Sequence, residues 1–318
     1  VLHRRSRRTL AGGLALLVLG LLPSLVGCGP RPAEAPRTGT EKAGQETAVL
    51  RIGAIPDQKP EKLNRLHPLV ADELSQQLGV KVRYVPVVDY AAAVSAFRTG
   101  DLDLVWFGGL SGVQARLQRP GAEVLAQRDI DANFHSVFIA NRASGLKPID
   151  DPAGLQELKG KRFSFGAENS TSGTLMPLWF LEQAGVKPAD FDGGRAGYSS
   201  SHDSTIALVQ SGAYEAGALN EQVWRTRLEE GKVDTAKVIE IWRTPAYHDY
   251  HWIAQPDLDR RFGDGFTDRL RGAILGWSDA DPEQRQILEL FGAERFIAAD
   301  PSDYQRIEAI GRRSGRIR

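Results

Sequence analysis

From residue 48 onward, short apolar runs alternate with stretches in which apolar residues recur every three to four positions. Residues 49–55 form the first run, broken by Pro56. Leu63, Leu66, Leu69, Val70, Leu74 and Leu78 then repeat at helical spacing up to Gly79, and residues 80–87 make a second run. A helix over 91–98, a strand over 102–107 ending at Gly108 and Gly109, and a helix from Val113 continue the order. Strands alternating with helices predict a wound sheet, because parallel neighbours need a crossover between them. The fold class is α/β.

The same grammar returns further along. Residues 97–103 (helix end, glycine, then an acid) have a counterpart in residues 209–215, where Gly212 and Glu215 take the places of Gly100 and Asp103. This is either generic helix-to-strand grammar or the mark of two lobes of related design. Two β-prone stretches, residues 134–140 and 238–254, flank the middle block, and the chain from Leu258 on reads as helical. One lobe is expected to hold residues 48–134 plus 246–318 and the other residues 135–245. Two crossing segments would act as the hinge, with a ligand cleft between the lobes.

The N-terminal 47 residues have a different character. Arg4, Arg5, Arg7 and Arg8 precede an apolar stretch from Leu10 to Leu22, and Leu25, Val26, Gly27 and Cys28 follow in the order of a bacterial lipobox. Residues 1–27 are read as a lipoprotein signal peptide, with Cys28 as the lipid attachment site and a membrane anchor. The alternative, a spanning helix, needs about 20 apolar residues, and Pro23, Ser24 and Gly27 end the run early. Residues 28–47 are rich in Pro, Ala, Glu, Thr and Gly and read as a tether. The expected location is the periplasm, on the outer face of the cytoplasmic membrane. Cys28 is the only cysteine, so no internal disulfide and no thiol chemistry is available to the folded part. The 40 Lys and Arg balance 40 Asp and Glu, which argues against a broad nucleic-acid-binding surface and leaves any anion selectivity to local features.

Candidate chemistry gathers in a few loops. Ser170, Thr171, Ser172 and Gly173 follow the strand-like residues 162–165 and open a helical run over 174–184. A helix start has free N–H groups and the positive end of the macrodipole, and hydroxyls there add donors without bulk. Plain N-capping needs only one such residue, and here three come in succession. Residues 197–203 form a second polar loop, in which His202 is either a second donor to the same anion or a solvated loop residue, and Asp203 either caps the following helix or reaches the ligand. Trp106 and Phe107, at the end of a strand, are the aromatic candidates for walling the cleft. His248, Asp249 and His251 could suggest a metal, but no fourth ligand is in view, and neither metal nor cofactor is expected.

Asp89, Tyr90 and Ala91 with the helix to Arg98, residues 102–111, Ser170 to Gly173, His202 followed by an acid, and a Pro and an Asp ahead of Trp252 form an ordered set. This set resembles the periplasmic phosphonate-, phosphite- and phosphate-type binding proteins. The resemblance implies a type II periplasmic-binding-protein fold in which residues 170–173 hold a small tetrahedral oxyanion. Tyr90 and His202 would complete the grip, and an ABC transporter permease would be the partner. The sequence departs from aminophosphonate binders: Phe134 stands where they present a Tyr, and the acids expected for an amine are blurred at Asn220, Glu221 or Gln222 and at His248 or Asp249. Some relatives sharing a stretch like residues 247–252 are described as selenate binders. Phosphite, phosphonate and phosphate can carry a proton at neutral pH, and a carboxylate that accepts it would disfavour selenate. Asp57, Asp203 and Asp249 are the candidates for that role.

Two other functions fit parts of the chain. An exported hydrolase would need a nucleophile arrangement, and Ser170 and Ser172 sit in neither a G-x-S-x-G elbow nor an S-x-x-K pattern. A sensor that presents its ligand to a membrane kinase would have the same binding lobe. The chain is expected not to be an enzyme.

Overall fold

β1 (Val49–Ala54) opens the described part of the protein, residues 48–318 of a computed structural model. The signal segment, Cys28 and the tether lie outside the described residues. After β1 come α1 (Pro60–Leu78), β2 (Lys81–Tyr84), α2 (Tyr90–Thr99), β3 (Leu104–Phe107), α3 (Gly109–Gln118) and β4 (Glu123–Arg128). The middle block contributes β5 (Ser136–Asn141), β6 (Phe163–Phe165), α4 (Met176–Gln183), β7 (Gly197–Tyr198), α5 (His202–Gln210), β8 (Ala216–Asn220), α6 (Glu221–Glu229) and β9 (Val238–Arg243). The chain returns through β10 (His251–Ala254), α7 (Leu258–Phe262), α8 (Phe266–Leu275), α9 (Pro282–Phe291), β11 (Phe296–Ala298) and α10 (Gln305–Arg313).

These strands form two sheets, one ordered β11-β4-β10-β3-β1-β2 and the other β7-β6-β8-β5-β9. β1 runs parallel to both β2 and β3, and β6 runs parallel to both β7 and β8. Each sheet is therefore a wound parallel core with antiparallel strands added, covered by helices, and each makes one lobe. The local reasons are plain in α1. Pro60 is tolerated in the first turn, Leu63, Leu66, Val70 and Leu74 are buried on one face, and Gly79 ends the helix at φ 67°.

The stretch 238–254, expected as one β-prone segment, is two strands belonging to different sheets. Pro245 lies between them and has no N–H to continue a ladder. The short edge strand β11 interrupts the C-terminal region expected to be helical, and it is held by pairing with β4. β2 is shorter than the run 80–87 because Val85 makes the last bond, to the Ile52 carbonyl (2.8 Å), before Pro86.

The chain crosses between lobes twice, after β4 and after β9, and the crossings are tied together. Phe134 and Tyr247 pair antiparallel and exchange both backbone hydrogen bonds at 2.9 Å. Beneath this hinge Arg128 donates to Asp131 (Nε to Oδ2, 2.6 Å), and its guanidinium lies 4.9 Å from the centre of the Tyr250 ring. Asp131 Oδ1 in turn accepts the Tyr250 N–H at 3.2 Å. A buried ion pair thus fixes where residues 249 and 250 enter the cleft.

Candidate functional site

Strand-to-helix loops from both lobes meet at the hinge. The repeat seen in the sequence has a structural counterpart. Tyr90 and His202 each lie seven residues before the paired Phe97 and Val209, and each is the first residue of its helix. Asp89 caps α2 by accepting the Ala92 N–H (2.7 Å), and Ser201 caps α5 by accepting from Ser204 (3.3 Å). The two acids of the repeat also match: Asp103 accepts the Arg51 N–H (2.7 Å) and Glu215 accepts the Arg162 N–H (3.0 Å). Two lobes of one design therefore face each other with corresponding helix starts.

Residues 170–175 wind into a single wide turn ahead of α4, with Ser170 Oγ accepting the Gly173 N–H at 3.0 Å. Gly173 is required because a Cβ there would stand 2.9 Å from the Cα of Gly166. The amides of Thr171 and Ser172 lie ahead of the turn's first internal donor, the Gly173 N–H. Thr171 Oγ1 accepts the Leu110 N–H from the opposite lobe at 2.9 Å, and Asp249 Oδ1 accepts the neighbouring Gly109 N–H at 2.9 Å. The start of α3 is thereby bound to both the second lobe and the second crossing segment.

Three buried side-chain atoms in this neighbourhood have no hydrogen-bond partner in the protein: Tyr90 Oη, Ser172 Oγ and Asp249 Oδ2. Each residue is at most 4% exposed. A buried polar atom left unpaired costs about 1–3 kcal/mol, so three together identify a place shaped for something else. Tyr90 lies close to Ser170, and Ser172 lies close enough to Asp249 and Tyr247 to bear on their pKa values while forming a hydrogen bond with neither. Burial pushes the Asp249 carboxyl up to about 7, against the opposing pull of the Gly109 amide. It raises the Tyr90 hydroxyl well above its ordinary value, so Tyr90 is a neutral donor.

Behind this group sits a second cluster. Tyr250 Oη meets His202 Nε2 at 3.2 Å and accepts from Asn220 Nδ2 at 3.0 Å. His202 Nδ1 accepts the Asn220 N–H (3.3 Å), which places the ring proton on Nε2, facing Tyr250. Burial holds the His202 pKa down at about 4, so the ring is neutral. Asp57, which sequence reasoning named only as a possible proton acceptor, is buried beside Tyr250. Burial raises it to about 6, while the Tyr250 hydroxyl and the Lys62 and Arg128 charges pull the other way.

The structure places the remaining candidates elsewhere. Both Asp203 oxygens are engaged by protein donors, Oδ1 by Arg227 Nε (2.6 Å) and Oδ2 by the Lys59 N–H (3.0 Å), so this carboxylate does not point at an anion. Trp106 is stacked on Tyr250 and packed against Trp252, Phe291 and Phe296, which makes it support for the site and not a wall of it. Phe107 is fully buried edge-on to Phe97. The pleat sends these consecutive residues to opposite faces of the sheet, and both faces are covered, so both rings are packed into the core. Glu221 accepts the His135 N–H (3.1 Å) and pairs with Arg243 (3.1 Å), leaving no free acid there for an amine. Among the described residues no group of His, Cys, Asp and Glu could hold a metal ion. A groove of about 570 Å³ at the mouth is lined by Lys59, Tyr90, Asn169, Tyr198 and Ser200; Ser172 and Asp249 are enclosed deeper.

Two wound α/β lobes joined by two crossing segments, with helix starts converging on a cleft between them, define a type II periplasmic binding protein. Residues 52–304 match the family model described as ABC transporter, phosphonate, periplasmic substrate-binding protein. The chain belongs to this family of periplasmic substrate-binding components of ABC importers, which bind and do not catalyse. It is 54% identical over 270 residues to a probable ABC transporter phosphite binding protein, PhnD1, of Prochlorococcus marinus MIT 9301, covering 85% of this chain and 91% of the relative. It also resembles the crystal structure of that organism's PhnD1 in complex with methylphosphonate, with a TM-score of 0.83 over 85% of this chain and 99% of the other. The phosphonates-binding periplasmic protein of Escherichia coli K12 is more distant, 24% identical over 83% of this chain and 75% of its own length.

Proposed function

We propose that the chain captures a small phosphorus oxyanion able to carry one proton, of the phosphite or methylphosphonate class, and delivers it to an ABC permease. The observation that carries this is the partnerless trio: two hydroxyls, Tyr90 Oη and Ser172 Oγ, and one carboxylate oxygen, Asp249 Oδ2. Hydroxyls donate to anion oxygens, whereas an ionised carboxylate only accepts and therefore calls for a P–O–H group. Ser170, Thr171 and Ser172 hold the anion at the turn before α4, whose free amides add the positive end of a helix. His202 acts behind Tyr250, and Asp57 is the second carboxylate in reach. Selenate has no proton and would face Asp249 unpaired, and the engagement of Glu221 argues against an aminophosphonate. The relatives' names agree with this class.

The moving bodies are residues 48–134 plus 246–318 and residues 135–245, closing about the Phe134–Tyr247 pair. The lipobox ending at Cys28 tethers the protein to the outer face of the cytoplasmic membrane through its lipid.

Calorimetry against pH tests the reading. The complex holds one proton between Asp249 and the ligand. Above neutral pH it must take that proton up, and phosphite affinity should fall roughly tenfold per pH unit. On the acid side both Asp249 and phosphite carry protons, one must leave, and affinity falls again. Selenate brings no proton, so it should bind more weakly at pH 8 and recover only as Asp249 protonates near pH 7. Equal affinity for phosphite and selenate, flat between pH 6 and 9, would sink the proposal.

A further inference from the structure

Asp203 and Arg227 lie next to the ligand site without facing it, and their contacts run from one lobe to the other. Lys59 is the N-cap of α1 and gives that helix no side-chain cap. Its N–H donates instead to Asp203 Oδ2, at 3.0 Å, from the first turn of α5 in the opposite lobe. One residue away, the His202 N–H donates to the Asp57 carbonyl at 3.0 Å. Arg227 on α6 holds the other Asp203 oxygen at 2.6 Å and is itself braced by Glu230. Asp203 and Arg227 are both buried.

We infer that Asp203, held by Arg227, is a positioning residue for ligand retention: it latches the closed lobes through the Lys59 amide and so sets how long the ligand stays. Both bonds across this seam, Lys59 to Asp203 and His202 to Asp57, join residues of different lobes, so they form only when the lobes meet. Energy placed in such a contact stabilises the closed complex without touching the ligand, and it appears in the dissociation rate more than in the association rate. The latch adjoins His202 and Asp57, so it closes directly over the Tyr250 cluster. Arg227 keeps the Asp203 carboxylate aimed at the Lys59 amide by holding its other oxygen at 2.6 Å.

Stopped-flow fluorescence on the full chain with methylphosphonate tests this. Asp203→Ala removes the acceptor. Lys59→Pro removes the donor together with a side-chain charge at the groove's mouth, so its rate is read against Lys59→Gln, which keeps the N–H; the Lys59 φ of −57° already suits proline. Asp203→Ala and Lys59→Pro should each raise the dissociation rate about tenfold, the worth of one charge-assisted hydrogen bond at the low end, and leave association within about threefold. The double variant should be no worse than the worse single one, because both delete the same bond. Additive effects, or a Lys59→Pro dissociation rate within about twofold of that of Lys59→Gln, would overturn the latch. Should Lys59→Pro not fold, hydrogen exchange at the Lys59 amide replaces it: protection by methylphosphonate must disappear in Asp203→Ala, and unchanged protection overturns the latch. If methylphosphonate fails to bind the wild type, the ligand proposal is what fails. Small-angle scattering then decides the latch, which requires Asp203→Ala to be more open than wild type and is overturned if the two have equal radii of gyration.

Discussion

Asp249→Asn separates the role of one oxygen from that of the whole loop. The substitution keeps the shape and leaves Oδ1 able to accept the Gly109 N–H at 2.9 Å, while Oδ2 becomes an N–H donor. A protonless anion that met an acceptor now meets a donor. The change amounts to about one charge-assisted hydrogen bond, ~1.5–3 kcal/mol, so selenate affinity at pH 8 should rise about 10- to 100-fold. Phosphite loses the acceptor for its own proton, and the ratio of phosphite to selenate affinity should fall at least about tenfold. The same variant has a signature in stability. An ionised Asp249 in the buried site costs up to about 4 kcal/mol, the equivalent of moving its pKa from 3.8 to about 7. The sign follows from the raised value. Between pH 4 and 7 the unfolded chain has released a proton that the folded protein retains, so the penalty grows as pH rises through that window and is complete above it. Wild type should therefore lose melting temperature relative to the variant as pH rises from 5 to 8; this difference cancels the opposing contribution of the buried neutral His67, His202 and His251, whose depressed values favour the folded state at higher pH. The variant should melt higher than wild type at pH 8, by more than it does at pH 5, and keep the pH dependence due to Asp57, raised to about 6, and to the buried histidines. Calorimetry with both anions and thermal melts at pH 5 and 8 read these quantities. An affinity ratio within about twofold of wild type, with an unchanged melting profile, would refute the placement of Asp249 Oδ2 at the ligand.

Two further substitutions probe the donors. Tyr90→Phe deletes a buried hydroxyl that has no protein partner, so the melting temperature should hold or rise while affinity falls about tenfold; a variant that lost stability and kept its affinity would make Tyr90 a packing residue. Ser170→Ala and Ser172→Ala should separate in the same way. Ser170 caps Gly173, and its loss should cost about 1 kcal/mol of stability as well as affinity, whereas Ser172→Ala should leave unfolding by urea unchanged and weaken binding alone.

Much of the frame follows from local pattern along the chain. Alternating runs specified α/β lobes because strand and helix periods are local properties of the chain. The repeat 97–103 and 209–215 left generic helix-to-strand grammar and two related lobes both open, and it places Tyr90 and His202 at matching helix starts. Three hydroxyl residues before Gly173 raised this turn as a candidate anion site, since hydroxyls add donors to a helix start without bulk. What local pattern could not decide was which acid served which purpose. Asp203 and Asp249 each stand in a polar loop with an aromatic or histidine beside them. Their partners, the Lys59 amide for one and the Gly109 amide for the other, lie 144 and 140 residues away in the chain. Tertiary folding gave Asp203 two donors and left one oxygen of Asp249 with none, which reversed their standing. The same holds for Trp106 and Phe107, whose position at a strand's end is legible but whose direction depends on what packs against β3. Asp57 entered the site only because β1 ends beside β3 and under Tyr250. An ionisable group's role follows from its neighbours' charges and from its distance to water, and both are set by residues brought together from far along the chain.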